Sequence, residues 1–175
     1  MKIGIFGINT GACAEPQTAA KVAVRAEQIG VESLWTAEHV VLPDPREAPS
    51  PADPETPFLH PSTLLAYIAN VTEEIKLGTG ITLIAQRNPV VLAKEMGSLD
   101  VISSGRLLLG IGAGYLHQEF SALGVDFSSR AQKLMNQSKL FELFGIKLIL
   151  NTKVSSSSSK TSKLNQDLFK QEDLP

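Results

Sequence analysis

The sequence predicts an α/β fold built on a parallel sheet, and three observations predict it. Strand-like and helix-like segments alternate four times between Lys2 and Phe144. The strand-like segments are near-continuous short apolar runs, as in Arg106-Leu107-Leu108-Leu109, the pattern of strands covered on both faces by helices. Glycines gather at the ends of two of these runs, Gly78-Thr79-Gly80-Ile81 and Gly110-Ile111-Gly112-Ala113-Gly114, where a parallel sheet presents its ligand-binding edge.

Each element has its own signal. Lys2 to Ile8 reads as the first strand. Pro16 to Ile29 reads as a helix with Ala19, Val22, Ala23, Ala26 and Ile29 on one face and Gly30 as its stop. Glu32 to Thr36 is the second strand, followed by a proline-rich loop from Val40 to Pro61 that could act as a lid. A helix from about Ser62 to Glu74 carries Leu64, Leu65, Ile68 and Val71. Lys76 to Ile84 is the third strand, and Asn88-Pro89 opens a helix with Val91, Leu92, Met96, Leu99 and Ile102 at helical spacing until Ser103-Ser104-Gly105 ends it. After the fourth strand, a helix is expected from about Ser128, with Ser128 or Ser129 as its cap, to Phe144, and Gly145 to Leu150 offers at most one more strand. Two closures compete, an eight-unit barrel and an open doubly wound sheet. A barrel needs about 250 residues, so the 175 residues here supply about half of one.

Composition shifts along the chain. Residues 1–127 carry 8 Lys and Arg against 14 Asp and Glu, whereas residues 128–175 carry 8 against 4. Ser155 to Ser159 is a homopolymer inside a polar stretch without apolar period, so 1–150 is expected to be the folded unit and 151–175 a disordered tail. A flexible extension and a truncated or altered reading frame explain this shift equally well. Cys13, the single cysteine, excludes an intrachain disulfide and fits a reducing, cytoplasmic compartment. The net charge of −2 and the lack of a basic, aromatic-laced stripe argue against a nucleic-acid partner, and no apolar run reaches the length of a membrane span. No Cys/His cluster has metal-ligand spacing, so no metal is expected.

The candidate chemistry lies at strand exits. Glu38 and His39 follow the second strand, where a carboxylate can hold an imidazole's tautomer or stabilise its charged form; the same dipeptide is also a common solvated loop pair. Missing side chains at Gly78 and Gly80 suit either a bulge or the close approach of a planar ring. The amides of Gly110 to Gly114 could meet phosphate oxygens, but the spacing is not the dinucleotide fingerprint, which weakens a nicotinamide-dependent reading. His60 and His117 read as surface or helix-start residues, Arg87 as an exposed loop cation, and Cys13 as a small buried residue.

Three blocks in order, LWTAEHVVLP, LGTGITLIAQRNPVVLAKEMGSLDVISSGRLLLGIGAGY and HQEFSALGVDFSSR, resemble the amino-terminal half of the bacterial-luciferase-like monooxygenase superfamily, especially its deazaflavin-dependent branch. The resemblance spans roughly Lys2 to Phe127. It implies part of a TIM (β/α)8 barrel, a coenzyme F420 or alternatively FMN cofactor, a small-molecule substrate, and association into a homo-oligomer. By position it implies that Glu38 and His39 face the cofactor ring, with His39 transferring a proton. It implies further that Thr79, Gly80 and Ile81 back the ring through a cis peptide, and that Ala113 and Gly114 lie near the cofactor's side chain and phosphate. Relatives that oxidise sugar phosphates carry Glu where this chain has Tyr115, which weighs against that substrate class. The family continues through four more strand-helix units. The readings that follow are an oxidoreductase, whole or truncated, and a catalytically silent half barrel that serves only as an association module or is a pseudogene product.

Overall fold

A computed structural model describes residues 1–143 and 148–150. Five parallel strands, β1 (Gly4–Phe6), β2 (Ser33–Thr36), β3 (Lys76–Leu83), β4 (Leu107–Gly112) and β5 (Leu148–Leu150), lie side by side in chain order. This order decides between the two closures. A doubly wound sheet reverses direction at a switch point, whereas strands added always on the same side generate a barrel wall. The helices are α1 (Pro16–Gln28), α2 (Pro61–Ala69), α3 (Pro89–Ile102), α4 (His117–Ala122) and α5 (Arg130–Leu143). The expected tail, 151–175, lies outside the described residues, as do residues 144–147.

Strand residues facing the helices form the core. Ile5, Leu34, Leu77 and Leu107 make one row across β1 to β4 and pack with Ala19, Ala23, Leu64, Leu65, Ile68 and Leu99 from α1, α2 and α3. A second cluster joins Ile84, Leu92, Met96, Leu109, Ile111 and Phe141. On the opposite face the neighbouring positions are Phe6, Trp35 and Gly78. The indole of Trp35 lies where a Cβ at Gly78 would sit, so that position admits only glycine without repacking.

Several local expectations are corrected. Helix α2 ends at Ala69, not Glu74, because the next amides have other partners: the Glu27 carboxylate accepts from Glu73, Glu74 and Ile75 N–H at 2.9, 2.7 and 2.9 Å. Ile29, Val91 and Ile102 are exposed, so the core faces of α1 and α3 are narrower than their apolar spacing suggests. Strand β3 ends at Leu83, one residue before the expected Ile84, and shifts register between Thr79 and Thr82. At the start of α5 neither expected serine caps through its hydroxyl. Ser129 Oγ donates to Asp126 O, and the Asp126 carboxylate accepts from Ser128 N–H and Oγ–H. Asn88 does cap α3, its Oδ1 accepting from Val90 and Val91 N–H at 3.0 and 3.2 Å.

Candidate functional site

A cavity of about 390 Å³ opens at the carboxyl ends of the strands, within the range of small-molecule sites. Phe6 from β1, His39 after β2, Ile81 and Leu83 from β3, Tyr115 after β4, and Pro51, Ala52, Thr56 and Phe58 from the long loop supply much of its wall. The loop therefore closes one side of the cavity. A fully buried Asn9 fastens it: its Nδ2 donates to Ala37 O and Leu59 O at 2.7 Å each, and its Oδ1 accepts from Ala37 N–H at 2.8 Å. One side chain thus ties the exits of β1 and β2 to the end of the loop, and so fixes where Glu38 and His39 begin.

His39 stands between two aromatic edges, T-shaped against Phe58 and Tyr115 with ring centroids 5.9 Å away in each case. Its Nε2 is 3.5 Å from the Tyr115 hydroxyl. Its Nδ1 is 3.6 Å from Glu119 Oε2 and has no hydrogen-bond partner within reach. Glu119, 1% exposed, also accepts from Val40 N–H at 2.6 Å and from Gln86 Nε2 at 3.1 Å. Burial alone would raise its carboxyl pKa, but the nearby imidazole of His39 and the bonds from Gln86 and Val40 outweigh burial and hold it below the ordinary value.

Glu38 is adjacent in sequence but differently employed. Its side chain is 2% exposed; the carboxylate accepts from Leu83 N–H at 2.5 Å and pairs with the Arg87 guanidinium. Burial raises its pKa, against the opposing pull of Arg87 and the Leu83 amide. Arg87 is therefore not an exposed loop cation: it also donates to His60 Nε2 at 2.8 Å, and His60 Nδ1 lies 3.0 Å from Ser62 Oγ, which bonds Glu95. This chain of contacts joins the exit of β2 to α2, the β3–α3 turn and α3.

The glycine-rich exits are arranged around Ile81. The Gly80–Ile81 peptide is cis, and a Cβ at Gly112 would collide with the Ile81 side chain. Thr79 does not reach the cavity lining. It is fully buried, with Oγ1 donating to Gly110 O at 2.8 Å and accepting from Gly110 N–H at 3.0 Å, so it clamps β3 to β4. Gly114 lines the cavity at φ +84°, whereas Ala113 does not line it. The structure thus brings Glu38, His39, Gly80, Ile81 and Gly114 to one cavity and sets Thr79 and Ala113 apart from it. Sequence reasoning missed Glu119, Gln86 and Asn9. The block HQEFSALG carries Glu119 in plain view, but nothing local marks it as buried.

A family model for luciferase-like monooxygenases matches residues 1–141. The chain belongs to that family. Among family relatives, an F420-dependent glucose-6-phosphate dehydrogenase from Amycolatopsis mediterranei is 30% identical over 71% of this chain and 36% of its own length. The oxygenase component of the flavin-dependent trigonelline monooxygenase from Acinetobacter baylyi is 34% identical over 62% of this chain and 28% of that protein. In structure, the oxygenating constituent of 3,6-diketocamphane monooxygenase from Pseudomonas putida, solved with FMN, matches 81% of this chain and 38% of its own with TM-score 0.65 and 25% identity. This family member's strands are thus part of a luciferase-like TIM barrel, and the chain spans less than half the length of these relatives. No helix among the described residues is long and apolar enough to cross a membrane.

Proposed function

We propose that the chain is the cofactor-facing part of an oxidoreductase that uses coenzyme F420, or alternatively FMN, on a small-molecule substrate. The observation that carries this reading is an apolar cavity at the strand exits whose lining includes Ile81, at the β3 irregularity, and the imidazole of His39. The fit to a flat heteroaromatic ring is good: Phe6 and Ile81 offer apolar faces, and Gly80 and Gly114 lack the side chains that would narrow the approach.

When bound, such a cofactor supplies the hydride or oxygen chemistry. The protein's own part is positional and protonic. Ile81 and Phe6 would hold the ring, His39 Nε2 would accept or return the proton, and the Tyr115 hydroxyl beside it would hydrogen-bond a substrate oxygen. Glu38 would act by holding the exit of β3 through the Leu83 amide, with its carboxylate engaged by Arg87. Gly114, with Ala113 before it, would shape the approach to the cofactor's side chain, and Thr79 would steady the ring's backing from behind by clamping β3 to β4. Tyr115 in place of an acid favours a substrate other than a sugar phosphate.

Residues 1–150 form one folded unit in this reading and 151–175 an appended tail; the end of the family match at residue 141 supports the division. Cytoplasmic location and homo-oligomeric assembly belong to the same proposal. A second reading, a catalytically inactive half barrel that works only by association, is favoured by the place of β1 at one edge of the sheet, next to Ile3, which is 53% exposed. Fluorescence titration with oxidised F420 and with FMN separates the two. Saturable binding of either supports the oxidoreductase reading, and absence of binding to both sinks it.

A further inference from the structure

His39 has two ring nitrogens in unlike surroundings. Nε2 lies on the cavity side beside the Tyr115 hydroxyl, whereas Nδ1 is turned inward, buried, and aimed at Glu119 Oε2 from 3.6 Å. The carboxylate it meets is itself fixed. Glu119 Oε1 accepts from the amide of Val40, the residue directly after His39, and Oε2 accepts from Gln86 Nε2. A single buried side chain on α4 therefore holds both the backbone leaving His39 and the inner edge of its ring.

The chemistry of the pair selects a proton position. An ionised carboxylate only accepts hydrogen bonds. If Nδ1 lacked its proton, two acceptors would face each other in a site closed to water, an arrangement that buried polar groups avoid. With the proton on Nδ1, an approach of about half an ångström brings the pair to the distance of a charge-assisted bond. The other nitrogen is then the accepting one.

We infer that Glu119 is a positioning residue for His39, fixing the Nδ1–H tautomer and so presenting Nε2 to the cavity as the atom that takes up a proton. Tyr115 lies on that accepting side and does not set the tautomer. The acid partner of the imidazole is then not its sequence neighbour Glu38, whose carboxylate is engaged by Leu83 and Arg87, but a residue 80 positions on. The catalytic meaning of this arrangement rests on the oxidoreductase reading. The proton position itself does not.

Ring-15N NMR of protein labelled in histidine tests it without any cofactor, so its failure and that of the functional reading are separable. Only three imidazoles are present, and a His39→Gln variant identifies the signals of His39. At alkaline pH the wild type should show Nδ1 protonated and Nε2 bare. In Glu119→Gln the amide must keep its oxygen for the Val40 N–H and turn its NH₂ toward Gln86 and Nδ1, so the Nδ1–H population should fall several-fold in favour of Nε2–H. Tyr115→Phe should leave the wild-type tautomer in place. A wild-type His39 protonated on Nε2, an unchanged ratio in Glu119→Gln, or a switch caused by Tyr115→Phe would each overturn the assignment. The wild-type and Tyr115→Phe spectra decide it even if Glu119→Gln fails to fold.

Discussion

The two ends of the sheet handle buried polarity in opposite ways. At the amino end, the buried guanidinium of Arg106 donates to Ser103 O, Thr72 Oγ1, Ile75 O and Ala69 O at 2.7–3.3 Å, and Thr72 Oγ1 in turn donates to Ile68 O. Beside it, Glu27 closes three free amides. At the carboxyl end, Thr82 Oγ1 and Gln86 Oε1 are buried without partners, His39 Nδ1 stands 3.6 Å from Glu119 Oε2, and two carboxylates, Glu38 and Glu119, are shifted in opposite directions. One end is chemically complete. The other leaves hydrogen-bonding capacity unused on and just after β3, the strand whose Ile81 and Leu83 line the cavity, which suits a ligand site better than a stabilising cap.

Substitutions can break or sharpen this contrast. Arg106→Met should have the largest effect, a loss of about 3–4 kcal/mol because several carbonyls are left buried without donors; urea denaturation measures it, and cofactor binding by the folded fraction should be unchanged. Asn9→Leu should lose about 2–3 kcal/mol, and trypsin should cut faster at Arg46 in the released loop than in the wild type. Glu27→Gln keeps an acceptor but not the charge, so about 1 kcal/mol is expected. The smallest effect is at His60, which is half exposed. Burial, helped by Arg87, lowers its pKa below 6.5, so the unfolded chain binds its proton more tightly than the native one. Its contribution is then present above pH 6.5 and fades as pH falls through the lowered native value. Thermal melts from pH 7.5 to 5 should therefore slope downward toward acid, and less steeply in His60→Gln.

Much of the scaffold was legible because its signals are local. The Asn88-Pro89 start of α3, the alanine face of α1 and the apolar runs of β3 and β4 depend on neighbours within a turn or a strand. The position of Glu38 and His39 at a strand exit followed from the same order. The employment of these residues did not, because it depends on contacts across long stretches of chain: Glu119 with Val40, Arg87 with Glu38, Asn9 with Leu59. The block HQEF reads as the exposed start of a helix, and only the packing of α4 beneath the loop buries its acid. Arg106 likewise reads as a strand's first residue, and its carbonyl partners come from α2 and the turns that follow α2 and α3.

The central claim is that the carboxyl-end cavity, and not the amino end, receives the cofactor ring. Fluorescence titration of F420 and FMN against the wild type, Ala52→Trp and Glu27→Gln tests it directly, because Ala52→Trp fills the cavity from the loop side while Glu27→Gln perturbs only the far end. The account predicts saturable binding of at least one cofactor to the wild type, an affinity at least tenfold weaker in Ala52→Trp, equivalent to about 1.4 kcal/mol, and wild-type affinity in Glu27→Gln. Equal affinity in Ala52→Trp and the wild type would contradict it.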